Sequence, residues 1–199
     1  MIRDFVGSNY NYYALYLLLV LLLNLLYLAP PFLAASGDAG NAHIFYMADA
    51  PLCHQLPQRS LCLIAAPDGS RSVGDCIQQG TQGLNRDRYV FADSRGLGYE
   101  FGVCARDTAI YLFMLVGGLA YPFVRRVDDD NAPPLWLFVL AILPTAVDGG
   151  GQFIGLWEST NAVRLATGAL AGLAVAFYAI PLLYYFIPVA KKAFLGRGG

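Results

Sequence analysis

The side chains best suited to chemistry cluster in one stretch: Cys53, Cys62, Cys76, Cys104, His43 and His54 all lie between Asp38 and Arg106. Cys53 and His54 are adjacent, at the head of Cys53-His54-Gln55-Leu56-Pro57-Gln58-Arg59-Ser60. A thiolate beside an imidazole suits zinc or a related metal. A second cluster is Cys104-Ala105-Arg106-Asp107-Thr108. On a helix, Cys104, Asp107, Thr108 and Tyr111 fall at i, i+3, i+4 and i+7 and share one face. Cys53, His54, Cys104 and Asp107 therefore form a candidate four-ligand set for zinc or another transition metal. Gln55, Arg59, Tyr111, Gln152 and Glu158 are candidates to surround and orient those ligands. The plainer alternative makes Cys53 a disulfide cysteine, His54 a surface residue and Asp107 a favourable charge at a helix N-terminus. Four cysteines allow three pairings. A local Cys62–Cys76 bridge leaves Cys53 and Cys104 either bridged to each other or free near His54.

A third cluster is Pro144-Thr145-Ala146-Val147-Asp148-Gly149-Gly150-Gly151-Gln152. An acid inside an apolar helix costs at least ~2.5 kcal/mol on insertion scales and marks either a functional group or a paired one. Gln152 lies one turn beyond Asp148 on the same face. A fourth is Glu158-Ser159-Thr160-Asn161-Ala162-Val163-Arg164, a short turn in which Ser159, Thr160 or Asn161 can cap the next helix. Arg164 then sits in the first turn of that helix, where the dipole disfavours a cation, so Glu158, Asp148, Asp107 or a lipid head group must lie near it. If the protein is an enzyme, Asp148 is the candidate acid–base and Arg164 the candidate anion clamp.

Four apolar stretches must position these clusters: residues 12–35, 108–124, 135–157 and 165–188. Each is near the ~20 residues that span ~30 Å of hydrocarbon. Apolar residues make up 57% of the 199 and charged residues only 14%, against about 25% charged in a soluble domain. Mean hydropathy is +0.49. The net charge of −1 provides no basic stripe for nucleic acid; the bilayer is the expected partner. The first stretch also has a signal-peptide reading, since it ends in Leu33-Ala34-Ala35-Ser36. It is longer than a typical apolar signal core, and only Arg3 is a positive charge upstream, which favours a retained membrane helix.

Arg125 and Arg126 follow the second stretch; Lys191, Lys192 and Arg197 follow the fourth. Basic residues in short loops stay in the cytoplasm, which places both termini inside and residues 36–106 outside. Asp148, about 20 Å along its helix at ~1.5 Å per residue, then falls in the outer part of the bilayer, near the level of Asp107. All four clusters converge on the outer side. Within residues 36–106, Asp68-Gly69 suits a hairpin tip and Arg88-Tyr89-Val90-Phe91 a strand; short helices and loops are otherwise expected. The tail Gly196-Arg197-Gly198-Gly199 would fray unless a partner covers it.

The Cys-His-Gln-x-Pro-x-Arg-Ser segment, the Val-Cys-Ala-Arg-Asp-Thr-Ala-Ile-Tyr segment, and Asp-Gly-Gly-Gly-Gln followed by Glu-Ser-Thr-Asn-x-x-Arg together resemble the DUF2085 family of small prokaryotic membrane proteins, over roughly residues 50 to 175. The resemblance implies a membrane architecture and no particular activity. It also implies Cys-x-x-Cys in many members where this chain has Cys104-Ala105-Arg106-Asp107, so Asp107 stands in for a thiolate.

The sequence thus predicts an all-α membrane protein, a four-helix transmembrane bundle with a large extracytoplasmic loop between its first two helices. Its parts are an N-terminal transmembrane helix (1–35), the Cys/His-containing loop (36–106) and a three-helix membrane region with a cytoplasmic C-terminus (107–199). The leading functional expectation is an outward-facing metal-binding or redox site. One alternative is a disulfide-stapled accessory subunit of a larger membrane complex, with Cys53, Cys62, Cys76 and Cys104 bridged in an oxidising compartment. Another is a small transporter or lipid-head-group enzyme.

Overall fold

The computed structural model describes residues 10–84 and 87–195; Arg3, Asp4 and the glycine-rich tail with Arg197 lie outside them. Four helices are long and apolar enough to cross a membrane: Asn11–Ala35 (α1), Ala105–Val124 (α3), Leu135–Phe153 (α4) and Asn161–Leu195 (α5). A shorter helix, Ala39–Asp49 (α2), follows α1. Asp38 caps it, its carboxylate accepting from the Asn41 amide at 3.2 Å.

The expected all-α fold is corrected by the segment between α2 and α3. It holds five strands, Ser60–Ala65 (β1), Arg71–Asp75 (β2), Gln82–Leu84 (β3), Asp87–Asp93 (β4) and Gly96–Cys104 (β5), so the protein is mixed α and β. They form one antiparallel sheet in the order β2-β1-β5-β4-β3. Asp68-Gly69 turns the β1–β2 hairpin, with Gly69 at φ +84° and the Asp68 carboxylate accepting from the Ser70 amide at 2.9 Å. Arg88-Tyr89-Val90-Phe91 lies in β4. The strand least visible in sequence is the central one. β5 carries Gly96, Gly98 and Gly102, which have little intrinsic preference for a strand. Cys62 on β1 is bridged to Cys76 after β2 and is fully buried with Ile64 and Phe91.

The sheet is tied to the helices by α1. The Asn24 amide nitrogen donates to the Tyr111 carbonyl of α3 at 2.9 Å, and the Tyr27 hydroxyl to the Thr108 carbonyl at 3.4 Å. Tyr27 is therefore level with the first turn of α3. Its ring packs on Phe101 and Val103 of β5. The last two turns of α1 rise beyond this level, where Leu33 and Ala34 pack on Ala42 and Tyr46 of α2. The other strong junction pairs α3 with α5. A Cβ on Gly168 would come within 2.5 Å of the Arg106 carbonyl oxygen, and one on Gly172 would collide with that of Ile110. Small residues permit this close backbone approach, which holds Cys104 and Arg164, near the starts of the two helices, close to the sheet.

Candidate metal-binding and redox site

Cys104 is the last residue of β5 and the N-cap of α3, with extended backbone (φ −66°, ψ 162°). A β-to-α junction at this residue turns its thiol toward the first helical turn, where Asp107 waits. The Cys104 thiol has one proton and two acceptors within reach, the Cys53 sulfur and the Asp107 carboxylate at 3.1 Å, and the Cys104 backbone amide donates to the Cys53 Sγ at 3.2 Å. One donor atom from each of Cys53, Cys104 and Asp107 lies within 4.8 Å of the others. Cys53 and Cys104 are free thiols, whereas Cys62 and Cys76 are bridged.

Cys53 is delivered by the turn after α2. Its amide and that of Leu52 donate to the Asp49 carbonyl at 3.2 and 2.8 Å. Two residues on, Gln55 adopts φ 49°, a left-handed conformation that non-glycine residues rarely hold without compensation. The compensation is visible. Its side-chain amide donates to the carbonyls of Tyr46 and Gly102 at 2.8 and 3.0 Å, and its oxygen accepts from Arg88 and the Tyr89 hydroxyl, each at 3.2 Å. Gln55 thus fixes the loop that carries Cys53; its amide is committed to that scaffold.

The two thiols differ sharply. The Cys53 thiol is pulled down to about 7, chiefly because Cys104 donates to it, with backbone amides of Gln55 and Cys104 helping against the cost of burial. The Cys104 thiol is pushed up, because its proton bonds to Cys53, because it is buried, and because Asp107 repels a second negative charge. One thiolate with one retained proton is the resting state this geometry favours. Below them, two acids are fully buried. Desolvation raises Asp49 to about 6 and Glu100 to about 8; for Glu100 the nearby Ser60 opposes the shift.

The thiols sit in a recess of about 350 Å³ lined by Leu52, Cys53, His54, Leu56, Arg59, Cys104, Arg106, Asp107 and Phe153. His54 and Arg59 therefore belong to the recess, but His54 is exposed and does not join the three clustered donors. Tyr111 packs against Tyr27 one turn further into the bundle.

Asp148 and Arg164 lie outside this lining, in a polar layer that clamps helix ends to the sheet. Asp148 is paired with Arg106 at 2.5 Å and accepts from the Ser159 hydroxyl at 2.8 Å and the Trp157 indole at 3.4 Å. Arg164, 2% exposed, donates to Asn161 at 2.8 Å, to the Gln58 carbonyl at 3.3 Å and to Glu158 at 3.2 Å. Gln152 donates to Glu158 at 2.8 Å. Asn161 reaches across to Asp75 at 2.8 Å and the Ser60 carbonyl at 3.3 Å, while Thr160 caps α5 by accepting from the Val163 amide. The sequence marks Arg164 as needing an anion, and Glu158 is one of those it names. It does not single out Arg106 as the partner of Asp148, nor the buried Asp49 and Glu100. Arg106 carries a signal, because it stands beside Asp107 at a helix start where a cation is disfavoured.

A family model described as "Predicted membrane protein (DUF2085)" matches residues 95–178. An uncharacterized protein of Methanocaldococcus jannaschii is 33% identical over 182 residues, 89% of this chain and 96% of the relative. An uncharacterized protein of Methanothermobacter thermautotrophicus is 40% identical over 79 residues, 40% of this chain and 69% of the relative. No solved structure matches. With a matched span that runs from β5 and Cys104 through α3 and α4 into α5, and a full-length relative beside it, the chain belongs to the DUF2085 family of membrane proteins.

Proposed function

We propose that this multi-pass membrane protein carries a metal-binding site on its extracytoplasmic side, holding zinc or a similar borderline-soft ion through Cys53 Sγ, Cys104 Sγ and a carboxylate oxygen of Asp107. The observation that carries the reading is the convergence of those three donors within 4.8 Å at the floor of an open recess. Zinc–sulfur bonds of about 2.3 Å and zinc–oxygen bonds of about 2.0–2.2 Å place tetrahedral donors a little under 4 Å apart, so only a small contraction is needed. The fourth position faces the recess and is left to water, substrate or His54. An open position is what distinguishes a reactive zinc site from a structural one. The ion would act there as a Lewis acid; Cys53 arrives close to its ligating form, and Cys104 must release its proton on binding.

The test is elemental analysis of protein purified in detergent without chelator. About one equivalent of transition metal is expected, falling below a tenth in Cys53→Ser and Cys104→Ser. Less than a tenth of an equivalent in the unmutated protein refutes the reading.

A second reading is favoured by one specific contact. With the Cys104 amide 3.2 Å from the Cys53 sulfur, the two free thiols are adjacent and can close to a disulfide given a two-electron acceptor, while Cys62–Cys76 stays bridged. Non-reducing mass spectrometry after mild oxidation separates the two: loss of both thiols as a Cys53–Cys104 bridge supports this reading, and retained thiols with bound metal support the first.

A further inference from the structure

We infer that the recess takes its ligand from the bilayer, and that this ligand is a lipid with an anionic phosphate head group. The inference rests on the recess being a ligand site, and it holds whether the thiols carry a metal or not.

Position comes first. α3 has 20 residues and α4 has 19, which at ~1.5 Å per residue is close to the ~30 Å hydrocarbon thickness. The start of α3 and the end of α4 therefore mark one boundary plane of the membrane. The recess lies between them, with Cys104, Arg106 and Asp107 from the start of α3 and Phe153 from the end of α4. Its depth is that of lipid head groups and the first carbons of their chains.

The lining is divided to match. Leu52, Leu56 and Phe153 are 43%, 41% and 91% exposed. Such side chains are costly against water but sit readily at the edge of the hydrocarbon layer, so the recess has an apolar lip through which a lipid tail can leave. The polar part carries Arg59 and His54 beside the Cys53 and Cys104 sulfurs and Asp107, while Arg106, also in the lining, is committed to Asp148; the cation left for a ligand is Arg59. Arg59 has its nearest acid, Glu158, at 3.6 Å and itself lies partly open. Its guanidinium therefore retains donors for a second anion, in the fork geometry that suits phosphate. A volume of about 350 Å³ falls in the range of about 300–1,000 Å³ usual for small-molecule sites.

Free phosphate esters share the head-group chemistry, so the experiment separates the sources. Full-length, chelator-treated protein is placed in phosphatidylcholine nanodiscs, and the rate of Cys53 alkylation by a charged, water-soluble maleimide is read by peptide mass spectrometry. The additions are dioctanoyl phosphatidic acid, glycerol 3-phosphate or inorganic phosphate. The expected result is a slowing of at least about fivefold by the lipid alone. Arg59→Gln should abolish the protection, read as the ratio of the rates with and without lipid in the same variant, and Arg59→Lys should keep most of it. Equal protection by glycerol 3-phosphate overturns the bilayer route. No protection by any of the three overturns the anionic head group. Because alkylation is read on metal-free protein, either failure is distinct from a failure of the metal reading.

Discussion

At the scale of single residues, the pair Cys53 and Cys104 shows how neighbours divide one proton between two like groups. Cys53 accepts from a thiol and from backbone amides, so its thiolate is favoured; Cys104 faces both Cys53 and Asp107, so its thiol is retained. In metal-free protein, iodoacetamide should therefore alkylate Cys53 with a pH midpoint near 7 and Cys104 far more slowly at every pH up to 9. Equal rates at the two positions would remove the asymmetry. Glu100 makes a prediction of the opposite sign. Its folded value of about 8 lies above the ordinary 4.5 because burial disfavours the charge. The folded protein thus holds a proton that the unfolded chain releases. The stability from this proton is complete below about pH 4.5 and is lost as pH rises to about 8. At ~1.4 kcal/mol per pKa unit the ceiling is a few kcal/mol. The melting temperature should fall between pH 5 and 8, and Glu100→Gln should flatten the slope. An unchanged slope in that variant would assign the dependence to other groups.

At the scale of elements, the Arg106–Asp148 pair joins the start of α3 to the C-terminal part of α4, with Ser159 before α5 completing the triangle. α4 has few other polar ties of this kind among the described residues, Thr145 to the Thr167 carbonyl at 2.7 Å being one. Removing one member of a largely buried pair leaves the other uncompensated, at a cost of about 3–5 kcal/mol. Asp148→Asn should therefore unfold at a clearly lower SDS fraction than the parent, and Asp148→Asn combined with Arg106→Gln should recover part of the loss. A single variant as stable as the parent would show that the pair does not hold α4. Asp148 is legible in the sequence as an acid that must have a partner, because lipid offers none. Its choice of Arg106 over Arg164 is not legible, since both cations start neighbouring helices and only the packing of α3 on α5 decides which one faces α4.

At the scale of the whole molecule, the sheet and the thiol recess occupy one end of the helices, while Arg125, Arg126, Lys191 and Lys192 lie at the other. The positive-inside tendency predicts that the sheet faces outward. A cysteine replacing Ser70 on the β1–β2 hairpin should react with a membrane-impermeant maleimide in intact cells. One replacing Asp130, between α3 and α4, should react only after permeabilisation. The reverse pattern would invert the topology and place the recess in the cytoplasm. α1 shares its packing with the segment that follows it: its last two turns pack with α2, and Tyr27 packs on β5. Truncating the chain at residue 35 would therefore cut through a shared core.

The sequence by itself determined the four membrane-length helices, because lipid requires long apolar runs and composition alone reveals them. It also determined the candidates Cys53, His54, Cys104 and Asp107, because ligand-type side chains and acids at a membrane helix are scarce enough to stand out. It did not determine the sheet. β5 is rich in glycine and β1 is a short apolar run, and the pairing that joins them at the middle of the sheet links residues 32 to 44 positions apart. Nor did it determine which cysteines are bridged. That follows from β1 lying beside β2, which brings Cys62 to Cys76, and from the β5–α3 junction, which turns Cys104 toward Asp107 and Cys53. His54, which the sequence offers as a fourth ligand, is exposed and stands outside the three clustered donors, because only the tertiary structure decides which neighbouring side chain turns inward.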